Sequence, residues 1–553
     1  MSDQISDRKT KLEKIRALGV DPYGARFTGV TPNAELQATA GRLTIETGQI
    51  REGEDAAFRA AGRVVLHRDI GSLIFMTVRD WTGEIQYGLS KKMILQATKQ
   101  PGSEATEARK HEDAKAAQKD LFPDPETTWK LAKLLDLGDV VGAEGQLGRT
   151  KTGELTLWVT KLTMLSKALR PPPEKRLGLT DTEARYRRRY VDLASNPDSQ
   201  QVFLQRAQII DYARQVLRDR GFIEVETPML QPIYGGAAAR PFLTHHNKLD
   251  MQLYLRISPE LYLKRCLVGG LERVYEIGRC FRNEGISPRH NPEFSMLELY
   301  QAYADYHDMM DICEAIIGGA ARDVIGSARI SFGDAEIDYA TPWPRLKYAD
   351  LFGEHVGIPI DDIPAIRQRA RDLKAEIGGL KAETRDSGSE MGDLRAEISD
   401  FRSEADLDDA VVIHTLFEHY VESKLINPTF VLDWPAALCP LTKRHPGDPD
   451  LALRFELFIN GMELGNAYSE LNDPAIQRQT LSRQLRGEEE ETMAVPDEDY
   501  VEALECGLPP AGGLGIGLDR VAMLLTGSTT IRDVILFPLQ RPQRQDSDEV
   551  TKK

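Results

Sequence analysis

Between residues 60 and 90 the chain carries apolar and polar positions in the pattern of half-buried strands. Ala61-Gly62-Arg63-Val64-Val65-Leu66-His67-Arg68 reads as one strand and Leu73-Ile74-Phe75-Met76-Thr77-Val78-Arg79-Asp80 as a second. Thr82-Gly83 is a turn signal, and Glu84-Ile85-Gln86-Tyr87-Gly88-Leu89 follows as a third. The pattern returns at Val140-Val141-Gly142-Ala143-Glu144-Gly145 and at Leu155-Thr156-Leu157-Trp158-Val159. The polar, alanine-rich stretch 100–120 between them predicts an exposed helical excursion. Upstream, Ile5, Leu12, Ile15 and Leu18 recur among charges at helical spacing, so residues 1–60 are expected to form a helical extension.

Five short strands with one interruption suit a small Greek-key barrel of the OB type, assigned to residues 61–172. Pro171-Pro172-Pro173 is a stiff linker and a domain boundary. Beyond it, the spacing predicts a long helix over about 199–220, stopped by Gly221, then a strand Phe222–Thr227 ending at Pro228. Residues 250–305 are strand-rich. In the stretch 361–408, Ile366, Ala370, Leu373, Ile377 and Leu380 step by 4, 3, 4 and 3. Asp386-Ser387-Gly388-Ser389 interrupts, and Met391, Leu394, Ile398 and Phe401 step by 3, 4 and 3. That predicts an antiparallel helix pair, a surface insertion without chemistry of its own. The polar tail 542–553 is expected to be disordered.

Composition narrows the class. The 553 residues leave room for several domains, and 41% hydrophobic residues can fill their cores. No apolar run approaches the ~20 residues that cross a bilayer. The polar start Met1-Ser2-Asp3-Gln4 lacks an export signal, so a cytoplasmic location is expected. None of the five cysteines forms a C-x-x-C pair, which fits reduced thiols. A net charge of -16 argues against non-specific nucleic-acid binding driven by phosphate charge, though not against a local basic face. The run Arg185-Tyr186-Arg187-Arg188-Arg189-Tyr190, taken alone, suits a solvated linker or an intersubunit contact as well as such a face.

Three stretches carry chemistry. In the first, residues 275–284 alternate: Tyr275, Ile277 and Phe281 share one face, and Glu276, Arg282 and Glu284 the other. A Gly285-Ile286-Ser287-Pro288 loop with Arg289 and His290 leads into Met296–Tyr300, where Glu298 and Tyr300 oppose Leu297 and Leu299. Such a hairpin face fits solvent as well as a polar ligand.

In the second, Asn460-Gly461 is a two-residue hairpin signal that pairs Ile459 with Met462 and Phe458 with Glu463. Glu456 and Glu463 then share a face as diagonal neighbours, suited to Mg²⁺ bridging nucleotide phosphates. Asn466, Tyr468 and Glu470 have the opposite parity, and a bulge at Gly465 would bring them to the same face. In the third, Gly512-Gly513-Leu514-Gly515-Ile516-Gly517 leads into an apolar helix. It does not meet the G-x-G-x-x-G dinucleotide fingerprint, so the glycines admit something close to the backbone. Arg520, near the helix start, can reach an anionic or aromatic ligand.

Together these stretches resemble the class II aminoacyl-tRNA synthetases, and among them the lysyl-tRNA synthetases of subclass IIb. Phe281-Arg282-Asn283-Glu284-Gly285 is similar to motif 2 and Gly513–Arg520 to motif 3, and the unit ending at Pro228 resembles the dimer-forming motif 1. The likeness covers roughly residues 60–540, interrupted near 95–130 and 361–408. It implies an α+β fold: an N-terminal OB-fold barrel, then a class II antiparallel-sheet catalytic domain with flanking helices over 173–541. It also implies activation of L-lysine with ATP and Mg²⁺, transfer to tRNA(Lys), and a homodimer with no membrane association.

The same resemblance assigns roles. Arg282 would hold the α-phosphate and the substrate carboxylate, with Arg520 as the second catalytic arginine. Glu284 would bind the adenine amino group, Arg289, His290 and Asn291 would line the ATP site, and Phe294 and Arg520 would sandwich the adenine. Glu456 and Glu463 would coordinate Mg²⁺. Glu298 and Glu470, with Tyr300, would take the ε-ammonium and Glu260 the α-amino group, while Gly236, Asn466 and Tyr468 would line that pocket. Arg68, Phe75 and Gln86 would meet the anticodon, although Phe75 by itself fits a core equally well.

Departures sit in the pocket wall: Asn466-Ala467-Tyr468 replaces the usual Asn-Gly-Phe, Pro509-Pro510-Ala511-Gly512 replaces Pro-Pro-Thr-Ala, and Cys506 stands where an aromatic is common. A sister enzyme for aspartate would need cations where Glu298 and Glu470 stand. A paralogue that modifies a protein would lack the barrel, and a decayed binding module would have lost Arg282, Glu456, Glu463 or Arg520.

Overall fold

The computed structural model describes residues 2–96, 122–173, 178–237, 239–383, 409–484 and 497–541. The chain divides into two compact units, Met1–Gly178 and Leu179–Lys553.

In the first unit, helices Ser2–Ala17 and Asn33–Arg42 precede five strands: β1 (Ala57–Asp69), β2 (Leu73–Arg79), β3 (Glu84–Ser90), β4 (Val140–Arg149) and β5 (Leu155–Ser166). They close into a barrel in the order β1-β2-β3-β5-β4. β1 begins at Ala57, inside the stretch expected to be helical, because Ala57–Arg63 ladders against Gln146–Val140 of β4. The two-residue period sorts the side chains. Ile74, Met76, Val78, Ile85, Tyr87 and Leu89 are buried in one core, while Phe75 and Gln86 at alternate positions are half-buried on the other face. Helix Pro125–Leu134, capped by the Asp124 side chain, adds Trp129 and Leu131 to that core. The excursion expected at 100–120 lies outside the described residues.

In the second unit two short helices, Thr182–Arg187 and Arg189–Ser195, precede helix Pro197–Asp219, after which Gly221 turns the chain at φ 78°. The strand expected over 222–227 pairs only at Ile223–Glu224 (β6). Beyond it Thr227 turns its amide and hydroxyl onto Glu276 Oε2, at 3.1 and 2.6 Å. The remaining strands of the main sheet are β7 (Arg273–Phe281), β8 (Glu293–Ala302), β9 (Arg345–Lys347), β10 (Thr429–Pro435), β11 (Arg444–His445), β12 (Asp448–Ile459), β13 (Met462–Ser469) and β14 (Ala511–Gly517). Among the described residues they form a nine-stranded sheet in the order β9-β10-β12-β13-β14-β8-β7-β6, with β11 beside β12. Its ladders are antiparallel except β9–β10 and β6–β7. The second unit is thus α+β, a mainly antiparallel sheet with helices.

Strand parity divides this sheet into a packed face and a chemical face. Leu297, Leu299, Leu457, Leu514 and Ile516 meet Ile209 and Leu217 of the long helix, Met309 and Met310 of helix Tyr306–Cys313, and Leu524 of helix Leu518–Thr526. The intervening residues of the same strands point the other way. In the insertion, helix Ile363–Glu383 buries Ile366, Ala370 and Leu373 with Ile413, Leu416 and Phe417 of helix Asp409–Tyr420. The second helix expected around Met391–Phe401 lies outside the described residues, as does the tail 542–553.

Candidate active site

The chemical face is built from two hairpins flanking one glycine-rich strand. In the β7–β8 hairpin Glu276 stands opposite Glu298. The face is not given to solvent: both carboxyls are buried, at 4% and 3% exposure. Glu276 is met by Arg256, whose Nη1 donates at 2.5 Å. In the β12–β13 hairpin Ile459 pairs with Met462 and Phe458 with Glu463, after which Leu457 pairs with Gly465. The extra residue is Leu464, so the bulge falls beside Gly465 and shifts the parity. Glu463, Asn466 and Tyr468 all reach the cavity as a result.

β14 lies between the hairpins, with Gly513 opposite Tyr300 on one side and Tyr468 on the other. A Cβ on Gly513 would overlap Glu470 Oε1 and stand 2.5 Å from Tyr300 Cε1, and one on Gly515 would stand 2.8 Å from Met296 Cε. The glycines therefore form a floor thin enough for their neighbours' side chains. Asp519, just past this strand, receives Arg206 Nη2 at 2.6 Å and the Ser295 amide at 2.7 Å. That fixes the start of the following helix and so the position of Arg520.

These elements enclose a cavity of about 600 Å³. One end is cationic. Arg282 stacks its guanidinium 5.1 Å from the centre of the Phe294 ring. Arg520 donates to the Glu463 carbonyl at 2.6 Å and lies 2.9 Å from His290 Nε2. Arg289 donates to the Gly461 carbonyl at 3.2 Å. Burial, with Arg282 and Arg289 close by, lowers the Arg520 pKa, and Glu463 opposes that shift. Glu284, Arg289 and His290 are exposed at the mouth.

The side of the cavity formed by β12 and β13 holds Glu456 and Glu463. Glu456 pairs with Arg454, and Glu463 Oε1 accepts from Asn466 Nδ2 at 3.3 Å. Burial pushes the Glu456 carboxyl up and Arg454 opposes it. Among the described residues no cluster of three or more His, Cys, Asp or Glu forms a complete metal cage. The two carboxylates beside the arginine-lined end would suit a magnesium ion shared with a nucleotide.

The opposite end is anionic. Ser258 Oγ donates to Glu298 Oε1 at 2.8 Å, and Tyr300 Oη to Glu298 Oε2 at 3.2 Å. Burial, reinforced by the charge of Glu260, pushes Glu298 up to about 8. Glu260 opens helix Glu260–Val268 and accepts the Tyr468 hydroxyl at 2.6 Å. A phenylalanine in place of Tyr468 could not make that bond. Gly236 (φ 87°) turns close by, where a Cβ would stand 3.0 Å from Ser258 Oγ.

Residues 181–541 match the family profile described as tRNA synthetases class II (D, K and N). The chain belongs to this family. It is 44% identical over 551 residues to a lysine–tRNA ligase of Carboxydothermus hydrogenoformans, covering 98% of this chain and 99% of that one. It is 44% identical over 550 residues to a lysine–tRNA ligase of Pelotomaculum thermopropionicum, covering 98% and 96%. It is 43% identical over 544 residues to one from Staphylococcus haemolyticus, covering 98% and 99%.

Within this class II frame, Gly236, Glu260, Arg282, Glu284, Arg289, His290, Asn291, Phe294, Glu298, Tyr300, Glu456, Glu463, Asn466, Tyr468 and Arg520 line the one cavity. Glu470 does not. It is buried beside them: it pairs with Lys264, and its Oε1 lies where a Gly513 Cβ would stand, on the face that Gly513 shares with Tyr300 and Tyr468. The Asn291 amide donates to the Glu293 carbonyl at 2.6 Å, bracing its own loop. Sequence reasoning missed Lys264, one helical turn beyond Glu260, and Arg454, two residues before Glu456 on the same strand face; both spacings were there to see. In the barrel, Arg68 stands opposite Phe75, and Phe75 opposite Gly88. Gly88 in turn leaves room for Trp158, whose ring meets Phe75 edge-on at 6.0 Å. Gln86 donates to Thr156 Oγ1 at 2.8 Å. Trp158 too was missed, hidden in an ordinary strand alternation.

His414 lines the cavity behind Glu456. Burial first, then the charge of Arg454, holds its pKa down at about 4, against 6.5 unperturbed. The unfolded chain therefore takes up this proton at a higher pH than the folded one. The contribution is fully present above pH 6.5 and is lost as pH falls from there towards about 4. His414→Gln should flatten that part of the stability profile. Urea unfolding at pH 7.5 and 4.5 checks it: the drop between the two should be smaller in the variant, and an equal drop would refute the role given to His414.

Proposed function

We infer that this chain is an ATP-dependent ligase that activates L-lysine and attaches it to transfer RNA. The observation that carries the reading is the polarity of one cavity: arginines at one end, and at the other Glu298, buried and held by two hydroxyls, beside Glu260. A free amino acid with an ammonium side chain complements both ends. Membership of the class II family and the lysine–tRNA ligase relatives support the same substrate.

Arg282 would bind the substrate carboxylate and the α-phosphate together, neutralising charge as a carboxylate oxygen attacks the α-phosphorus. The bond to the bridging oxygen breaks and pyrophosphate departs. No general base is needed, since the attacking carboxylate is already ionised. A tRNA 3′-terminal hydroxyl then attacks the carbonyl carbon, loses its proton, and AMP leaves. Glu284 would receive the adenine amino group, Arg289 and His290 the outer phosphates with Asn291 beside them, and Arg520 one face of the adenine ring. Phe294 would take the other face once Arg282 turns to the phosphate. Glu456 and Glu463 would hold Mg²⁺, which would neutralise phosphate charge. Glu298 and Glu470, with Tyr300, would meet the ε-ammonium, Glu260 the α-amino group, and Gly236, Asn466 and Tyr468 would shape the walls.

The barrel's strand order and its parallel β3–β5 pairing support an OB fold over residues 57–166. Its outer face, with Phe75 and Trp158 beside Arg68 and Gln86, suits stacking and edge recognition of anticodon bases. The helix–strand–proline unit ending at Pro228 leaves Ile223, Met229 and Leu230 exposed, which suits a homodimer interface. Among the described residues no helix is long and apolar enough to cross a membrane, and the reading is of a cytoplasmic enzyme of translation.

The deciding experiment is amino-acid-dependent exchange of labelled pyrophosphate into ATP with each of the twenty amino acids. Exchange with lysine alone is expected; exchange with none overturns the reading. Arg282→Ala should lower the exchange rate by at least about 10²–10³-fold, and a near-normal rate would remove its central role. Glu298→Gln should raise the lysine KM at least about tenfold, through the loss of a charged hydrogen bond, with the ATP KM nearly unchanged; equal changes in both would put the ammonium elsewhere. Phe75→Ala should slow tRNA charging while pyrophosphate exchange stays intact, and parallel loss in both assays would contradict an anticodon role.

A further inference from the structure

On the outer face of the barrel two glycines make room for a tryptophan. Trp158 lies on β5, opposite Gly88 of β3 and Gln146 of β4. A Cβ on Gly88 would stand 3.0 Å from Trp158 Cε3, and one on Gly148 of β4 would stand 2.7 Å from Trp158 Cδ1. The benzo edge of the indole therefore reaches towards β3 and the pyrrole edge towards β4, at the height where the neighbours' side chains would otherwise stand. Gly88 also lies opposite Phe75 of β2. The space it leaves lets the Trp158 and Phe75 rings meet edge to face, with centres 6.0 Å apart and planes at 71°. Both side chains are half-buried, whereas Leu157 and Val159, on either side of Trp158 in β5, are fully buried in the barrel core. Beside them the Gln86 amide donates to Thr156 Oγ1 at 2.8 Å, so one of its N–H groups is engaged and its orientation is fixed.

We propose that Trp158 is a second stacking platform for the single-stranded loop of the tRNA: it holds the base next to the one on Phe75 and splays the two apart. This rests on the anticodon reading of the barrel and deepens it. The angle between the rings carries the argument. Two planes at 71° form a corner, and two bases that remain stacked on each other are parallel, so they cannot lie on both rings. The corner fits two successive bases pulled out of their stack, one on each ring, and unstacked bases are the form in which single-stranded RNA is read. An indole face accepts any base, so Trp158 adds affinity and fixes the path of the strand, while the Gln86 amide reads a base edge. The glycines at 88 and 148 belong to the same device, since a side chain at either would meet the indole.

Binding of an RNA hairpin that carries the anticodon stem and loop of tRNA(Lys), measured at fixed salt on the full chain, tests it. Trp158→Ala should weaken binding about tenfold or more, while Trp158→Phe, which keeps a ring, should stay within about threefold of wild type. Unchanged binding in Trp158→Ala would overturn the proposal. Hairpins with one abasic nucleotide at each loop position in turn then separate the two platforms. In the wild-type chain, abasic substitution at two adjacent positions should weaken binding. One of these should become neutral in Phe75→Ala and the other in Trp158→Ala. Neutrality at the same single position in both variants would mean that Trp158 only props the Phe75 ring, and would overturn the proposal. A spectroscopic readout does not depend on affinity. The fall in tryptophan fluorescence when the wild-type chain is saturated with hairpin should shrink in Trp158→Phe, and an equal fall in both would place the indole away from the base. A wild-type chain that does not bind the hairpin would sink the anticodon reading of the barrel itself, whereas hairpin binding indifferent to Trp158 would sink only its role as a platform.

Discussion

The constraint on which the catalytic unit depends is that a carboxylate taken out of water needs compensation. The site requires acidic groups on a buried sheet face, and an uncompensated buried charge costs several kcal/mol. The fold meets this with a cation or hydroxyls for each. Arg256 serves Glu276, Arg454 serves Glu456, Arg206 serves Asp519, and Lys264 serves Glu260 and Glu470. Glu298 receives two hydroxyls. These pairings also join the architecture. Arg256 ties the segment before helix Glu260–Val268 to β7, and Arg206 ties the long helix to the helix that presents Arg520. Electrostatic satisfaction and positional accuracy are the same contacts, so weakening either weakens the other.

A second constraint is space. Three layers of side chains from β8, β13 and the chain after β13 converge on β14, and only a strand without side chains on that face lets them meet. Glu470 Oε1 and the Tyr300 ring occupy the space that a Gly513 side chain would fill. This is why the glycines of β14 alternate rather than follow a phosphate-binding spacing. Their partners are side chains of the neighbouring strands, not a nucleotide's pyrophosphate.

Much of the site was legible because strand parity is a local property. The opposition of Glu298 to Leu297 and Leu299, and the pairing forced by Asn460-Gly461, follow from a few consecutive residues. The bulge was readable from the mismatch between Glu463 and Asn466, and it falls beside Gly465 because a residue without a side chain tolerates the tight step. What escaped was non-local. Glu470 pairs with Lys264 across most of the domain, a contact that no local pattern shows. Trp158 acquires significance only when β5 closes beside β3. The start of β1 at Ala57 was hidden because its pairing partner lies in β4, far along the chain. In the insertion, the heptad-like spacing of Ile366, Ala370 and Leu373 revealed a helix, but not that the helix packs on Asp409–Tyr420.

The arrangement of charge along the cavity settles orientation before any bond is made. Arg282, Arg289 and Arg520 gather at one end, and Glu260 and Glu298 at the other. An amino acid whose side chain is an ammonium has its charges in the matching order, with the carboxylate towards the arginines. An amino acid with an anionic side chain would have to bury that charge against Glu298, which nothing in the wall would offset. An uncharged side chain of the same length would leave Glu298 buried without a cation, and the carboxyl, already pushed up to about 8, would remain protonated. Discrimination therefore lies in whether the ligand can draw that proton off the pocket. Lysine brings the charge that stabilises ionised Glu298 in a dry site, and the same charge fixes its carboxylate where an α-phosphate can be attacked.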